Sequence, residues 1–282
     1  MSSTPRVAVL GAGNMGAALI GGMLKAEVVE AAHCVATTRS EASAAALEKR
    51  FGILATAGGN REAAQGADIV ILAVKPVNIP KVIHEIRDGL RENQILISLA
   101  ASLPLAVLEA EARVKMPVFR AMPNIPVILE EGAIGICHNT VATREQRDIV
   151  ESLFRAVGVV AWVDDEQMDA VTALSGSGPA YVYIFIEAMI AAGLKMGLSR
   201  DISTRLAEQT VLGAAKHVRD SGLHPAILRD QVITPGGVTI AAIHELERHG
   251  LRSMLISAIE TATEHSRKRT KALLEELETR NS

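Results

Sequence analysis

The stretch that decides the fold of this chain is Val7-Ala8-Val9-Leu10-Gly11-Ala12-Gly13-Asn14-Met15-Gly16. Four apolar residues precede three glycines in a G-x-G-x-x-G spacing, and an amphipathic helical pattern follows to about Lys25. A strand, a glycine turn and a helix in this order favour a dinucleotide-binding turn, in which backbone amides approach a pyrophosphate at the start of the helix. We therefore expect cofactor contacts at Gly11, Gly13, Asn14, Met15 and Gly16.

The end of the predicted second strand bears on which dinucleotide is bound. NAD-binding domains usually carry Asp or Glu there, where the carboxylate accepts from the ribose 2′-hydroxyl. This chain has Thr37-Thr38-Arg39-Ser40 instead. An arginine beside hydroxyl groups suits a 2′-phosphate, so we expect Thr38, Arg39 and Ser40 to bind NADP(H) in preference to NAD(H), with NAD(H) left open. An ordinary surface charge is the alternative reading of Arg39.

Outward from this stretch, short β-rich runs alternate with helical periodicity as far as residue 164. Such alternation predicts an α/β fold with a Rossmann-type, doubly wound, largely parallel sheet that is covered by helices on both faces. Beyond Asp164 the pattern is helical only. We therefore predict two domains, a dinucleotide-binding domain at 1–164 and an all-α domain at 165–282.

Composition restricts the class of protein. Of 282 residues, 22% are charged and 49% apolar, and the net charge is −3, which indicates a folded protein and argues against nucleic-acid binding. Cys34 and Cys137 lie apart in apolar segments, so we expect buried thiols, with no metal site. The longest uncharged run, 170–186, is interrupted by the turn signal at 175–179, and no secretory pattern opens the chain. We expect a cytoplasmic protein without a membrane span.

Four further segments identify a family. They are Ala73-Val74-Lys75-Pro76, Met122-Pro123-Asn124-Ile125-Pro126, the stretch from Leu174 to Tyr181 that contains Ser175-Gly176-Ser177-Gly178-Pro179, and Val232-Ile233-Thr234-Pro235-Gly236-Gly237-Val238-Thr239-Ile240. Together with the glycine turn they resemble pyrroline-5-carboxylate reductase over essentially the whole chain. The resemblance implies an oxidoreductase that reduces the cyclic imine 1-pyrroline-5-carboxylate to L-proline, the last step of proline biosynthesis, with hydride from a nicotinamide.

The stretch around Pro235-Gly236-Gly237 is the candidate substrate site. A proline and two glycines ahead of a helical pattern predict a tight turn whose free amides suit a small carboxylate. The resemblance places Thr239 at the ring nitrogen, which must be protonated or hydrogen-bonded during reduction, so Thr239 is the expected catalytic residue. A capping role at the start of the helix is the alternative for Thr239. The expected substrate-binding residues are Val232, Thr234, Gly236, Gly237, Thr239 and Ser177.

The resemblance adds contacts near the nicotinamide. It assigns mainly backbone contacts with the cofactor to Ala73, Val74, Lys75 and Pro76, and it places Asn124 near the nicotinamide end. For Asn124 an Asx turn is the alternative. The resemblance also places the turn at 175–179 near the nicotinamide and the substrate, and the alternative there is a purely structural turn with Pro179 at the first position of a helix. The chain departs from many relatives by lacking hydroxyls at Ile125, Ile233 and Val238, and by having Leu223 where relatives often carry Glu.

The predicted partner is a second copy of the chain. Helical patterns at Pro179–Met196 and Ser199–Asp220 are more apolar than a small helical domain can bury, so at least a homodimer is expected. The resemblance extends this expectation to a decamer of five dimers. Two other functions stay open: an NADP-dependent dehydrogenase with Lys195 or Lys216 as catalytic lysine, and a redox-sensing regulator that binds NADP(H) without turnover.

Overall fold

The structure is a computed structural model that describes residues 4–281, with the main chain alone at 277, 278, 280 and 281. The chain packs as two compact units. The first contains the described residues up to Ser177 and from Thr261 onward, and the second spans Gly178–Glu260. These units do not divide at residue 165, because Met168 and Ala173 are buried in the first unit. The assignment of substrate binding and dimerisation to 165–282 stays a prediction.

The first unit is built on one eight-stranded sheet in the order β3-β2-β1-β4-β5-β6-β7-β8. Strands β1 to β6 are parallel, β7 runs antiparallel to β6, and β8 is parallel to β7. The doubly wound, largely parallel sheet is therefore confirmed. The strands are β1 (Val7–Leu10), β2 (Cys34–Thr38), β3 (Leu54–Ala57), β4 (Ile69–Leu72), β5 (Ile95–Ser98), β6 (Val118–Met122), β7 (Gly132–His138) and β8 (Gly158–Trp162).

Helices cover both faces of this sheet. One face packs against α1 (Asn14–Lys25), α2 (Glu41–Phe51) and α6 (Arg144–Arg155). The other packs against α3 (Asn60–Gln65), α4 (Ile79–Ile86) and α5 (Leu105–Ala112). Central strands such as Ile69–Leu72 are buried along their whole length, as strands covered on both faces must be. A short helix α7 (Met168–Val171) and a π-helical turn (Thr172–Gly176) close the first unit.

Sequence patterning missed one strand and one helix. Strand β3 and helix α3 were not predicted, because Leu-Ala-Thr-Ala has no run of β-branched residues and α3 is only six residues long. Helix α4 is shorter than the helical sequence pattern that runs from about 77 to 90, since it is flanked by 3₁₀ turns at Pro76–Asn78 and Arg87–Gly89. Helices α3 and α4 both lie on the face of the sheet that α5 also covers.

The second unit is helical. It contains α8 (Gly178–Lys195), α9 (Arg200–Ser221), α10 (Pro225–Gln231), α11 (Val238–Arg248) and the first part of α12 (Leu251–Asn281). Helix α8 packs closely on α9, because a Cβ on Gly193 would lie 2.5 Å from Oγ of Ser203. No residue of α8 is buried, and Tyr183, Ile184 and Phe185 are largely exposed. An apolar surface of this kind requires a covering partner.

The interruption predicted at 175–179 is present as a π-helical turn followed by a bend at Ser177, but it does not end the helical segment. The π-helical turn leads almost directly into α8, and Asp165–Lys195 forms a helical segment of 31 residues with a mean hydropathy of 1.3 over its most apolar stretch. By length and composition alone this segment could cross a membrane, so the argument that the turn shortens it was wrong. The same two properties are typical of a helix that is covered in a protein interface.

Candidate functional site

The glycine turn lies at the point where the sheet topology reverses. The chain runs outward from β1 through β2 to β3 and then returns to β4 on the other side of β1. The loops that follow β1 and β4 therefore diverge at the carboxyl edge, and ligands of open α/β sheets bind in that crevice. Gly11 and Ala73 begin these two loops, and the amide of Ala73 donates to the carbonyl of Leu10 over 2.8 Å.

Each glycine of the turn has a different steric role. Gly11 has φ +79°, and a Cβ there would lie 2.2 Å from Cγ1 of Val74. Its amide donates to the carbonyl and to the hydroxyl of Thr37, both at 3.0 Å. Gly16 allows α1 to pack on the sheet, since its Cβ would meet Cγ1 of Val9 at 3.1 Å. At Gly13 a Cβ would meet nothing within 4 Å, so the backbone there faces open space that a pyrophosphate can fill.

The start of α1 presents backbone amides that no side chain caps. Gly13 is the N-cap residue and supplies no side-chain acceptor to the amides of the first turn. That turn, which begins at Asn14 and Met15, contains no acidic residue. Amides without an internal partner, together with the positive end of the helix dipole, favour an anion at this position.

A cavity of about 280 Å³ joins the glycine turn to the ends of β2 and β4. Two cations, Arg39 and Lys75, line it, and no carboxylate does. Several sequence-predicted cofactor residues come together here, namely Gly11, Gly13, Thr38, Arg39, Ala73, Val74 and Lys75. Ser43 and Asn78 also line the cavity and were not predicted, although both lie near the starts of the helices that follow β2 and β4. A polyanionic ligand fits this charge distribution.

The three residues predicted to bind a 2′-phosphate differ in burial and in the hydrogen bonds that their side chains already make. Thr38 is buried, and its hydroxyl donates to the carbonyl of Ser40 over 2.9 Å. Ser40 caps α2 by accepting from the amide of Ser43 over 3.3 Å, so its hydroxyl already has a structural role. Arg39 is exposed and forms no ion pair with any carboxylate whose side chain the structure describes. Of the three, Arg39 is therefore the group most available to a phosphate.

Asn124 has a structural role that neither sequence reading anticipated. Its side chain is almost buried, its Nδ2 donates to the carbonyl of Ser175 over 3.0 Å, and its Oδ1 accepts from the amide of Ala133 over 2.9 Å. The side chain makes no cap to the 3₁₀ turn that follows, so the proposed Asx turn is wrong. Asn124 instead ties the end of β6 to β7 and to the π-helical turn.

A second cavity, of about 450 Å³, lies beside the ends of β4 and β5. Pro76, Ala101, Ser102 and Ser177 line it, and the part of α12 in the first unit adds His265, Ser266 and Arg269. Ser102 has φ +64°, a conformation uncommon for a residue with a side chain. Thus Ser177, predicted from the family resemblance, lies in the same cavity as Pro76 at the carboxyl edge of the sheet.

The Pro235–Thr239 segment forms the predicted turn within the second unit. Gly236 has φ +69°, and the amide of Gly237 donates to the carbonyl of Thr234 over 3.0 Å. Gly237 is the N-cap of α11, and no side chain caps the helix. Thr239 is the second residue of the helix, so the capping alternative for Thr239 is wrong. Val232, Thr234 and Gly236 are exposed, and Thr239 is partly exposed.

The remaining candidates are two lysines, two cysteines and possible metal ligands, and the structure gives none of them a clear role in the site. Lys195 and Lys216 are exposed on α8 and α9, and neither forms an ion pair with a described carboxylate. Cys34 and Cys137 are buried, and burial raises the pKa of each thiol to about 12. Within the described part of the chain no group of three or more His, Cys, Asp or Glu residues could hold a metal ion. The site therefore consists of anion-binding turns, hydroxyl groups and a few exposed cations.

Two family models match different parts of the chain, and curated relatives match nearly all of it. Residues 165–269 match the family model described as pyrroline-5-carboxylate reductase dimerisation, and residues 6–102 match the model described as NADP oxidoreductase, coenzyme F420-dependent. A pyrroline-5-carboxylate reductase of Pseudomonas aeruginosa is 42% identical over 94% of this chain and 96% of the relative.

Solved structures give the same result. The pyrroline-5-carboxylate reductase of Coxiella burnetii superposes with a TM-score of 0.91 at 34% identity, covering 95% of this chain and 99% of that one. The Plasmodium falciparum pyrroline carboxylate reductase, solved with NADP bound, gives a TM-score of 0.84 at 30% identity over 95% of this chain and 99% of that one. With a parallel sheet that carries a glycine turn at its switch point and relatives this similar over nearly the whole length, the chain belongs to the pyrroline-5-carboxylate reductase family.

Proposed function

We propose that this protein reduces 1-pyrroline-5-carboxylate to L-proline with NADPH, the last step of proline biosynthesis. The observation that carries the proposal is the cavity at the switch point, in which Arg39 and Lys75 face the glycine turn without an opposing carboxylate. In a member of this reductase family, such a cavity supports binding of a phosphorylated dinucleotide. NADPH bound there would supply the hydride.

The first unit would bind and orient the dinucleotide. The amides at the start of α1 would bind the pyrophosphate, and Arg39 would bind the 2′-phosphate. The segment Ala73–Pro76 follows β4 and lines the two cavities at the carboxyl edge. This arrangement supports a preference for NADPH over NADH, because the guanidinium would lose its anionic partner with the latter.

The second unit would bind the imino acid. The uncapped start of α11 behind Gly236 and Gly237 presents backbone amides to a carboxylate. The Thr239 hydroxyl would donate to the ring nitrogen, where a proton is needed when hydride adds to the neighbouring carbon. Backbone amides that bind a carboxylate, together with a hydroxyl that donates to a ring nitrogen, suit a cyclic imino acid better than a simple ketone.

The exposed apolar residues of the helical unit support assembly into a homodimer. The segment matched by the dimerisation model carries the largely exposed apolar residues of α8, which a second copy would cover. A decamer of five dimers and a cytoplasmic location are further parts of the proposal, supported by the family resemblance. An interface helix also accounts for the apolar segment Asp165–Lys195 without a membrane.

A spectrophotometric assay tests the proposed reaction. The purified protein should oxidise NADPH in the presence of 1-pyrroline-5-carboxylate, and proline should form in equal amount. Turnover with a 2-keto or 3-hydroxy acid but not with the imine would instead favour the dehydrogenase alternative. Tight NADPH binding without turnover of any imine or carbonyl compound would favour the regulator.

A further inference from the structure

The segment between Asp165 and Ser177 is fixed to the sheet at both ends. At its start, the carboxylate of Asp165 pairs with the guanidinium of Arg120 in β6 and accepts from the amide of Leu105 over 3.1 Å. At its end, the carbonyl of Ser175 accepts from Nδ2 of Asn124, two residues beyond β6. The segment therefore lies along β6 and is held at two points by side chains from that strand and the residues that follow it.

Two glycines allow this segment to lie directly on the sheet. A Cβ on Gly135 of β7 would lie 2.5 Å from Cγ1 of Val171, and a Cβ on Gly176 would lie 2.7 Å from Cε of Met122. Close packing on both strands leaves the segment little freedom to shift. Its position thus depends on specific contacts and not only on the helical backbone.

The last turn of the segment is π-helical over Thr172–Gly176, and the amide of Ser177 donates to the carbonyl of Thr172 over 2.9 Å. A π-helical turn is less favourable than an α-helical one and is often found at functional sites. Ser177, at the end of this turn, lines the cavity beside the ends of β4 and β5. The Asn124 carboxamide is the group that holds the turn from the sheet side.

We propose that Asn124 is a positioning residue for the imine site, which acts by fixing the carbonyl of Ser175 and thereby the place of Ser177 in this cavity, and not by contact with the dinucleotide. The inference rests on the proposed function for the identity of the ligand, an imino acid that contacts Ser177. Both polar atoms of the Asn124 side chain already bind backbone groups, and the side chain is 8% exposed, so it has little surface to offer a cofactor.

The test compares Asn124→Ala with a matched control, Asn139→Ala. Asn139 is equally buried and ties the opposite end of β6, where its Oδ1 accepts from the amide of Val118 and its Nδ2 donates to the carbonyl of Met116. Both variants lose a buried carboxamide, and Asn139→Ala should lose at least as much stability as Asn124→Ala, because Nδ2 of Asn139 also donates to a carboxylate oxygen of Glu109 over 2.7 Å. We expect only Asn124→Ala to lower kcat/KM for the imine, by about tenfold or more, with the NADPH Kd within about twofold of wild type.

Amide hydrogen exchange on the ligand-free protein provides a readout that does not depend on the reaction. Exchange at 172–177 should become about tenfold faster in Asn124→Ala and stay unchanged in Asn139→Ala. Asn124→Asp should behave like Asn124→Ala, because a carboxylate accepts from Ala133 but cannot donate to Ser175.

Three results would overturn the proposal. They are a tenfold weaker NADPH Kd in Asn124→Ala, the same kinetic loss in Asn139→Ala, or unchanged exchange at 172–177 in Asn124→Ala. If the wild-type protein fails to reduce the imine while exchange at 172–177 rises selectively, the proposed function fails, the role at an imine site fails with it, and only the anchoring of the 172–177 turn by Asn124 stands.

Discussion

The Arg120 guanidinium and the Asp165 carboxylate form an ion pair in which the two partners are buried to different extents. The side chain of Arg120 is 5% exposed, whereas that of Asp165 is 30% exposed. Nε of Arg120 is also buried without a partner among the described residues. The arginine thus depends on this carboxylate much more than the carboxylate depends on the arginine.

This asymmetry predicts unequal effects on stability. Asp165→Asn removes the negative charge and strands a buried guanidinium, which should destabilise the protein by roughly 3 kcal/mol. Arg120→Met replaces the arginine by an apolar chain and leaves a carboxylate that water can reach, so the loss should be smaller. Thermal midpoints at one protein concentration would measure both, and a larger loss for Arg120→Met would contradict the argument.

The thiols of Cys34 and Cys137 should be unreactive in the folded protein. The pKa of both is raised to about 12, mainly by burial, and at Cys137 the charge of Asp165 contributes to that rise. The thiolate that reacts is therefore rare at pH 8. A chromogenic disulfide reagent should label neither cysteine in the native protein and both in denaturant, whereas rapid native labelling would show that a thiol is accessible.

The same shifts predict a pH dependence. Both folded pKa values lie above the ordinary thiol pKa of 9.0, so the stability that the thiols contribute is fully present below pH 9 and is lost as the unfolded thiols ionise above it. Replacing both cysteines by Ala should therefore flatten the fall in thermal midpoint between pH 9 and pH 11. An equally steep fall in the variant would assign the alkaline loss to other groups.

Sequence patterning predicted the parts of the fold that local chemistry controls. The bounds of α1, Asn14–Lys25, agree with the prediction, because the glycines of the turn and the apolar face of the helix both act within one segment. Strand β3 was missed because it is an edge strand with exposed Leu54, where the apolar signal is weak.

The site was predictable where the place of a residue follows from its own turn or from the end of its own strand, as at Gly13 and Arg39. The glycine turn and the turn at Gly236 follow from composition, but Ser43 and Asn78 reach the cavity because two helices start beside it, which is a tertiary effect. The bond between Asn124 and Ser175 joins residues 51 positions apart and has no local pattern.

Gly13 offers a steric test of the dinucleotide site. A Cβ at Gly13 meets no protein atom and its φ is −83°, so Gly13→Ala should fold normally but occupy space that the pyrophosphate needs. We expect the NADPH Kd to rise by about tenfold or more with an unchanged thermal midpoint. Gly213→Ala, also in open space but on α9, is the control and should leave the Kd unchanged.

The opposite result is expected at Gly11, where positive φ and the clash with Val74 both oppose a side chain. Gly11→Ala should lower the thermal midpoint as well as NADPH binding. If Gly13→Ala bound NADPH with wild-type affinity, the pyrophosphate could not lie above this turn.

Arg39 should control the choice between the two nicotinamide cofactors. A charge-assisted bond to a 2′-phosphate contributes about 1.5 to 3 kcal/mol, so Arg39→Gln should raise the KM for NADPH by about ten- to a hundredfold and leave that for NADH unchanged. Arg50→Gln on α2, the helix that follows Arg39, is the control, because Arg50 lies over the ring of Phe51 and lines a different cavity. Equal losses with both cofactors would remove Arg39 from the 2′-phosphate site.

Thr239 can be tested without disturbing the helix that carries it. Because Gly237 is the N-cap and no side chain caps α11, Thr239→Val should leave the thermal midpoint nearly unchanged. Loss of the hydroxyl that is proposed to donate to the ring nitrogen should lower kcat by about a hundredfold, by analogy with the loss of one oxyanion-hole donor, while the NADPH Kd stays the same. Thr239→Ser keeps the hydroxyl and should recover most of the activity.

Thr210→Val is the matched control for that substitution, since Thr210 is an exposed threonine of α9 whose hydroxyl donates only to the carbonyl of Leu206 within its own helix. Its kcat should equal that of the wild type. Full activity in Thr239→Val would show that the proton reaches the ring nitrogen from another donor. A parallel loss of NADPH binding would place Thr239 against the cofactor instead, because a hydroxyl that acts only on the imine affects turnover without changing the affinity for the dinucleotide.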